Sequence, residues 1–157
     1  MAQARQEARG LLVEAGEGAT VVNPLGGSMV FKVRGGETDG GMTVFVAINA
    51  PGTGPPLHTH ANEDELMLVT EGAFRFQIGD ERREAGVGAV AYIPRGLPHT
   101  WRVLGQATGK MFIVFSPAGM ERFFERMAEY AGSPTALDTF REIGSEAGME
   151  VVGAPLT

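Results

Sequence analysis

The chain has 157 residues, with 13 Lys and Arg against 19 Asp and Glu and a formal net charge of -6, so it lacks the basic surplus that phosphate-backbone binding needs and no nucleic-acid partner is expected. It contains no Cys, which removes disulfides, zinc thiolate sites, iron–sulfur ligation and thiol nucleophiles together and makes a reducing compartment the expectation. No apolar run reaches signal-peptide or membrane-spanning length, so the expectation is a cytoplasmic, single-domain protein with no membrane partner.

Residues 1–18 are polar, Gly-bearing and aperiodic, and read as an N-terminal arm. The chain's 23 Gly and 9 Pro fall largely in short clusters between the apolar runs that begin at Ala19, the pattern of many short strands. Strands are expected at 29–34 and 42–49 around the glycine-rich loop 35–41, then at 64–70 and 73–78, which meet at Glu71-Gly72. In 73–78, Phe74, Phe76 and Ile78 alternate with Arg75 and Gln77, the period-two signature of a half-buried strand. Further strands are expected at 84–88, 89–93, 99–104 and 110–115, with a proline-glycine loop over 94–98. This makes residues 19–116 an all-β antiparallel sandwich or barrel. The period then changes. Ser116-Pro117 reads as a helix start before Met120, Phe123, Phe124 and Met127, and Ser133-Pro134 as a second before Leu137, Phe140, Ile143 and Ala147, with Gly148 as the stop. Residues 117–157 are therefore expected to form an extension of two helices, whose Met and Phe stripes read as core or dimer contacts rather than a cofactor box.

The chemistry sits in the histidines. There are 3, and all fall in two patterns: Gly52-x5-His58-x-His60-x4-Glu65-x6-Gly72 and Gly88-x5-Pro94-x-Gly96-x2-His99. His58 and His60, two apart on an extended segment, leave the same face. Glu65 has the wrong parity for a continuous strand, but the polar stretch 61–64 can turn or bulge and return it to that face. The Pro94-Arg95-Gly96 turn would bring His99 alongside. Three imidazoles and a carboxylate suit one divalent transition metal ion (iron, manganese, nickel, zinc or copper) with positions left open for substrate, oxygen or water. Glu63 is the rival carboxylate. Residues in step with the ligands, Met67 and Val69 with Glu65 and Trp101 and Val103 with His99, should share the interior. Phe45, Phe74, Phe76, Tyr92 and Phe112 on neighbouring strands are further candidates for an apolar, aromatic pocket.

The two patterns resemble the paired motifs of the cupin superfamily, G-x5-H-x-H-x3,4-E-x6-G and G-x5-P-x-G-x2-H-x3-N, and match at every position but the last. The short gap from Gly72 to Gly88 and the helix beginning Ser-Pro-Ala-Gly-Met-Glu-Arg-Phe-Phe are similar to bacterial single-domain cupins loosely called quercetin-dioxygenase-like. The resemblance implies a double-stranded β-helix, the cupin jelly roll, often dimeric, binding one metal through His58, His60, Glu65 and His99. Val103 stands where the motif has Asn, and Ala89 where Asp often follows the glycine; neither is a metal ligand. Three functions are compatible. One is a mononuclear metal dioxygenase or oxidoreductase acting on a small apolar or aromatic molecule. Another is an oxygen-independent Lewis-acid isomerase, lyase or hydrolase in which Glu65 or Tyr92 moves protons. The third is a non-catalytic metal- or ligand-binding barrel. A homodimer covering an edge strand is expected.

Overall fold

In the computed structural model, which describes residues 9–23, 26–134 and 136–157, apolar alternation folds the chain into two facing antiparallel sheets. The strands are β1 (Ala19–Val22), β2 (Gly27–Val33), β3 (Thr43–Asn49), β4 (Pro56–His60), β5 (Asp64–Glu71), β6 (Ala73–Ile78), β7 (Glu81–Gly86), β8 (Val90–Ile93), β9 (His99–Val103), β10 (Gly109–Ser116) and, after the helices α1 (Met120–Ala128) and α2 (Ala136–Glu146), β11 (Met149–Pro155). One sheet runs β1-β2-β3-β10-β5-β8 and the other β11-β4-β9-β6-β7. This is the expected jelly-roll sandwich with two C-terminal helices. The inward positions of β10, Met111, Ile113 and Phe115, meet Phe45 and Ala47 of β3 and Met67 and Val69 of β5 in one core. Burying each such side chain contributes about 1.5–3 kcal/mol. Among the described residues, no helix is long and apolar enough to cross a membrane.

The differences from the sequence reading have physical causes. Residues 1–8 of the expected arm lie outside the described residues. Beyond them the arm is tied to the barrel, because the Lys32 ammonium donates to the carbonyls of Glu14 at 2.8 Å and Ala15 at 3.0 Å. β7 starts at Glu81, earlier than expected. It is an exposed edge strand with almost no buried residues, so its sequence carries no alternation, and its pairing with β6 supplies the order. Ser116 is not a helix cap: it finishes β10 and its hydroxyl donates to Gly41 O at 2.9 Å. α1 begins at Met120 after Gly119. Its anchor is Glu121, whose carboxylate accepts from the Thr43 hydroxyl, from Gly35 N at 2.9 Å and from Gly119 N at 3.0 Å. The extension 117–157 is also not wholly helical, since β11 returns to pair with β4, Met149 opposite His60 and Val151 opposite His58. Gly148 makes that return possible. It sits at φ 79°, and a Cβ there would lie 2.4 Å from Asn62 Nδ2.

Candidate metal centre

Each donor is delivered by a different local device. His58 and His60 project inward from β4, which lies between β9 and β11 in the sheet. His99 opens β9 directly opposite His58. Glu65 comes from the other sheet: the turn after His60 reverses the chain, and Glu65 points inward from β5, opposite Phe115 on one side and Ile93 on the other. Two contacts lock this turn to the proline-glycine loop. Gly96 N donates to His60 O at 2.7 Å, and Arg95 binds Asp64 through its backbone N at 2.9 Å and its Nε at 3.1 Å. The two sequence patterns are thus physically coupled, which explains how residues so far apart in the chain converge.

One ligand atom from each of His58, His60, Glu65 and His99 lies within 4.8 Å of the others, and all four residues are buried. The ring centroids of His58 and His99 are 4.4 Å apart, and those of His58 and His60 are 5.0 Å apart. His58 Nδ1 donates to Pro56 O at 2.7 Å and His99 Nδ1 to Leu97 O at 2.9 Å. This pattern fixes ring orientation and directs both Nε2 atoms inward. His60 is oriented differently, by the edge of Phe115 at 5.0 Å, and neither of its buried ring nitrogens has a hydrogen-bond partner. A buried imidazole with no formed hydrogen bond and its Nε2 3.4 Å from Glu65 Oε2, beside two pinned imidazoles and that carboxylate, completes a donor set that fits a divalent ion.

The electrostatics agree. Burial, then the neighbouring His99 and His60, push the His58 pKa down to about 3, so this imidazole is neutral and ready to donate its lone pair. Burial alone would raise Glu65, but His60 and His99 outweigh it and hold the carboxyl well below the usual range. For His99 burial opposes charge, and the hydrogen bond of its Nε2 to Glu65 Oε2 at 2.8 Å prevails, raising the pKa. A metal ion held at this centre would take the place of that His99 proton. The rival Glu63 is buried too, yet it is not in the cluster; burial, its largest influence, raises its pKa. It faces the N-terminus of α1 instead, lining a cleft with Gly119, Arg122 and Arg126.

A cavity of about 70 Å³ adjoins the centre. Of the expected pocket residues, Phe45 and Trp101 line it. Met67, Val69, Phe74, Phe76 and Val103 are buried in the core without reaching it. Phe112 points to the outer face of β10, where every second residue is less buried, and Tyr92 is 58% exposed on the outside of β8, away from any proton-transfer position. Both strands carry apolar residues on both faces, which erased the parity signal. The lining residues missed by the sequence reading include Phe123, Phe124 and Met127 of α1, Phe140 of α2 and Met149 of β11, which close the cavity, and Met29, Asn49, Ile113 and Phe115 in its wall. The α1 stripe was visible in the sequence, but the surface it covers was not.

A family model described as Cupin domain matches residues 45–115. Among solved structures, the chain is similar to KdgF from Halomonas sp., at 19% identity over 73% of this chain and 99% of that one with a TM-score of 0.64. A predicted oxalate decarboxylase from Thermotoga maritima aligns at 18% identity over 68% of this chain and 99% of that one, with a TM-score of 0.61. A sugar phosphate isomerase from a cupin superfamily, from Silicibacter pomeroyi, aligns at 19% identity over 68% of this chain and 75% of that one, with a TM-score of 0.59. No curated protein sequence matches the chain. At these identities the neighbours establish the cupin fold and leave the reaction open.

Proposed function

We propose that this cupin-fold chain is a mononuclear metal-dependent dioxygenase or related oxidoreductase acting on a small, neutral, apolar or aromatic molecule. The observation that carries the reading is the pairing of a three-imidazole, one-carboxylate donor set with a cavity whose ionisable lining residues, among the described residues, are His58, His60 and Glu65. A divalent transition metal ion held by His58, His60, Glu65 and His99 would supply Lewis acidity and, where redox-active, electron exchange with dioxygen.

The protein's part is placement and exclusion. His58 and His99 hold fixed ring orientations through their Nδ1 donors, so their Nε2 lone pairs need no reorganisation when an ion binds. Phe45, Phe115 and Trp101 surround the centre with apolar surface, and Phe123, Phe124 and Phe140 cover it, keeping bulk water from the reacting atoms. Glu65, whose carboxyl His60 and His99 hold low in the metal-free chain, would be the carboxylate placed to accept a proton from a substrate hydroxyl. With Tyr92 facing outward, the proton role rests on Glu65 alone. A substrate with a phosphate or a second carboxylate would meet no Lys or Arg among the described residues of the cavity wall, which favours a neutral organic molecule over the substrate classes named for two of the structural neighbours.

The test is oxygen uptake by protein reconstituted with Fe(II), Mn(II) or Ni(II) against phenols, diketones and flavonols. Consumption that needs both metal and substrate supports the reading. Turnover that persists without oxygen, or with zinc alone, replaces it with the Lewis-acid reading, and tight ligand binding without turnover replaces it with a binding barrel. The same reading places the protein in the cytoplasm as a homodimer that covers an edge such as β8, where Val90 and Tyr92 are exposed. Light scattering that finds only monomer across concentrations contradicts the dimer.

A further inference from the structure

β3 ends on Asn49, a wholly buried amide in the wall of the cavity. Its Nδ2 donates to Ala47 O at 3.3 Å and to Gly109 O at 3.4 Å. Both partners are acceptors, so turning the amide over would set oxygen against oxygen, and the orientation is fixed with Oδ1 as the other end. Oδ1 has no hydrogen-bond partner. The two donor contacts are long and therefore weak, while the unpaired acceptor is costly in apolar surroundings. A leucine of similar shape would avoid that cost, so the amide is a poor choice for structure alone.

The position of Asn49 says what the acceptor serves. It lies opposite Gly27 and Gly109, whereas Thr43, at the other end of β3, lies opposite Phe115, the cross-strand neighbour of Glu65. Asn49 lies six positions beyond Thr43, roughly 20 Å along a strand, so it belongs to the end of the cavity remote from the metal ligands. Between the two ends the wall is Met29, Phe45, Ala47, Trp101 and Ile113. The cavity thus has the candidate metal donors at one end, an apolar middle and, in its far wall, the Asn49 amide with Oδ1 buried; Asn23 lines it as well.

We infer that Asn49 Oδ1 receives a hydroxyl or N–H donor of the ligand, making Asn49 the specificity-determining residue that selects a hydroxylated or N–H-bearing apolar molecule over the corresponding hydrocarbon. This deepens the oxygenase reading by naming a substrate feature, and it rests on that reading only for the cavity being the ligand site. The cavity, at about 70 Å³, is smaller than an engineered cavity of roughly 150 Å³ that holds benzene, so a ring enters by displacing side chains of the α1 cover.

Phenol and toluene have nearly the same shape with and without a hydroxyl. Their dissociation constants are measured by ligand-observed NMR on the full chain, wild type and Asn49→Leu, each with zinc and without metal, alongside thermal midpoints. The expected result is a preference for phenol of about tenfold in wild type, the worth of one net hydrogen bond, falling to about equal binding in Asn49→Leu, whose midpoint is not lowered. A variant that keeps the preference, a wild type that shows none or binds neither probe, or a lowered midpoint overturns the inference. The metal arms separate the two claims. A wild type that binds no metal but prefers phenol sinks the oxygenase reading and leaves Asn49 its role, and one that binds metal without preferring phenol does the reverse.

Discussion

Lowering the pH should destabilise the metal-free protein through His58, by an amount the structure determines. Burial first, and then His99 and His60, bring its pKa from 6.5 to about 3 in the fold. The unfolded chain takes up a proton at His58 as pH drops below its ordinary value, while the folded chain stays neutral there until about 3. The stability that neutral His58 represents is therefore complete above the unfolded pKa and is lost as pH falls from it towards the folded one. At about pH 5 the loss is about 2 kcal/mol. That figure is insensitive to the folded pKa, because folded His58 is already deprotonated at this pH. For a chain of this size it corresponds to roughly 4–8 °C in thermal midpoint. His99 works the other way: its raised pKa gives stability present below the unfolded value and lost as pH rises through the folded one, so it offsets part of the drop. Glu65, held low, loses its contribution only below the ordinary carboxylate pKa, outside this window. The assay is circular-dichroism melting of chelator-treated wild type and His58→Leu at about pH 7 and about pH 5. Wild type should lose more midpoint than the variant, with the excess near the 2 kcal/mol worked out above; equal losses would refute the reasoning that His58 is held neutral by its burial.

Zinc affinity should fall as pH falls, approaching tenfold per unit below the His99 pKa, because the ion must displace the proton that the metal-free His99 carries; calorimetry in two buffers should read about one proton released, and none released would contradict the His99–Glu65 pair. His60→Ala and His99→Ala should each weaken zinc binding by two orders of magnitude or more, roughly, since loss of a ligand exceeds the 10–100-fold typical of outer-shell partners, while Glu63→Gln should change it little; zinc lost with Glu63→Gln would move the carboxylate assignment. Glu121→Ala removes a buried carboxylate that accepts from Thr43, Gly35 and Gly119, and should cost on the order of 3 kcal/mol in urea denaturation, with metal binding unchanged because α1 carries no ligand. Phe124→Ala, at a half-buried position in the cavity cover, should cost about 2 kcal/mol and speed toluene uptake; unchanged uptake would place the entrance elsewhere.

The four-residue cluster was legible because it needed spacing, a turn and a carboxylate of the right type, all local properties of residues 52–72 and 88–99. The strands were legible where one face is polar, as in β6, where Arg75 is exposed to meet Glu84 at 2.7 Å while Phe74 and Phe76 turn inward. Legibility failed where both faces are apolar. In β10, Phe112 and Val114 are as apolar as Ile113 and Phe115, and only the register opposite Glu65 decides which pair faces the centre. In β8 the same ambiguity concealed that Ala91 and Ile93 point in and Tyr92 out. β11 escaped for another reason. It ends in proline and follows a helix, and its order comes from pairing with β4, a contact invisible along the chain. Asn49 was unremarkable as a polar residue at a strand end, and its importance appears only when its amide is seen buried with one end unpaired.

The most direct test of the account is elemental analysis of protein purified without chelators, wild type beside His99→Ala. The account predicts about one transition-metal ion per chain in wild type, set by the single four-donor cluster among the described residues, and its loss in the variant. A wild type purified without metal that also fails to take up added iron, manganese, nickel, copper or zinc, or a His99→Ala protein that keeps its ion, would contradict the claim that His58, His60, Glu65 and His99 form one metal centre.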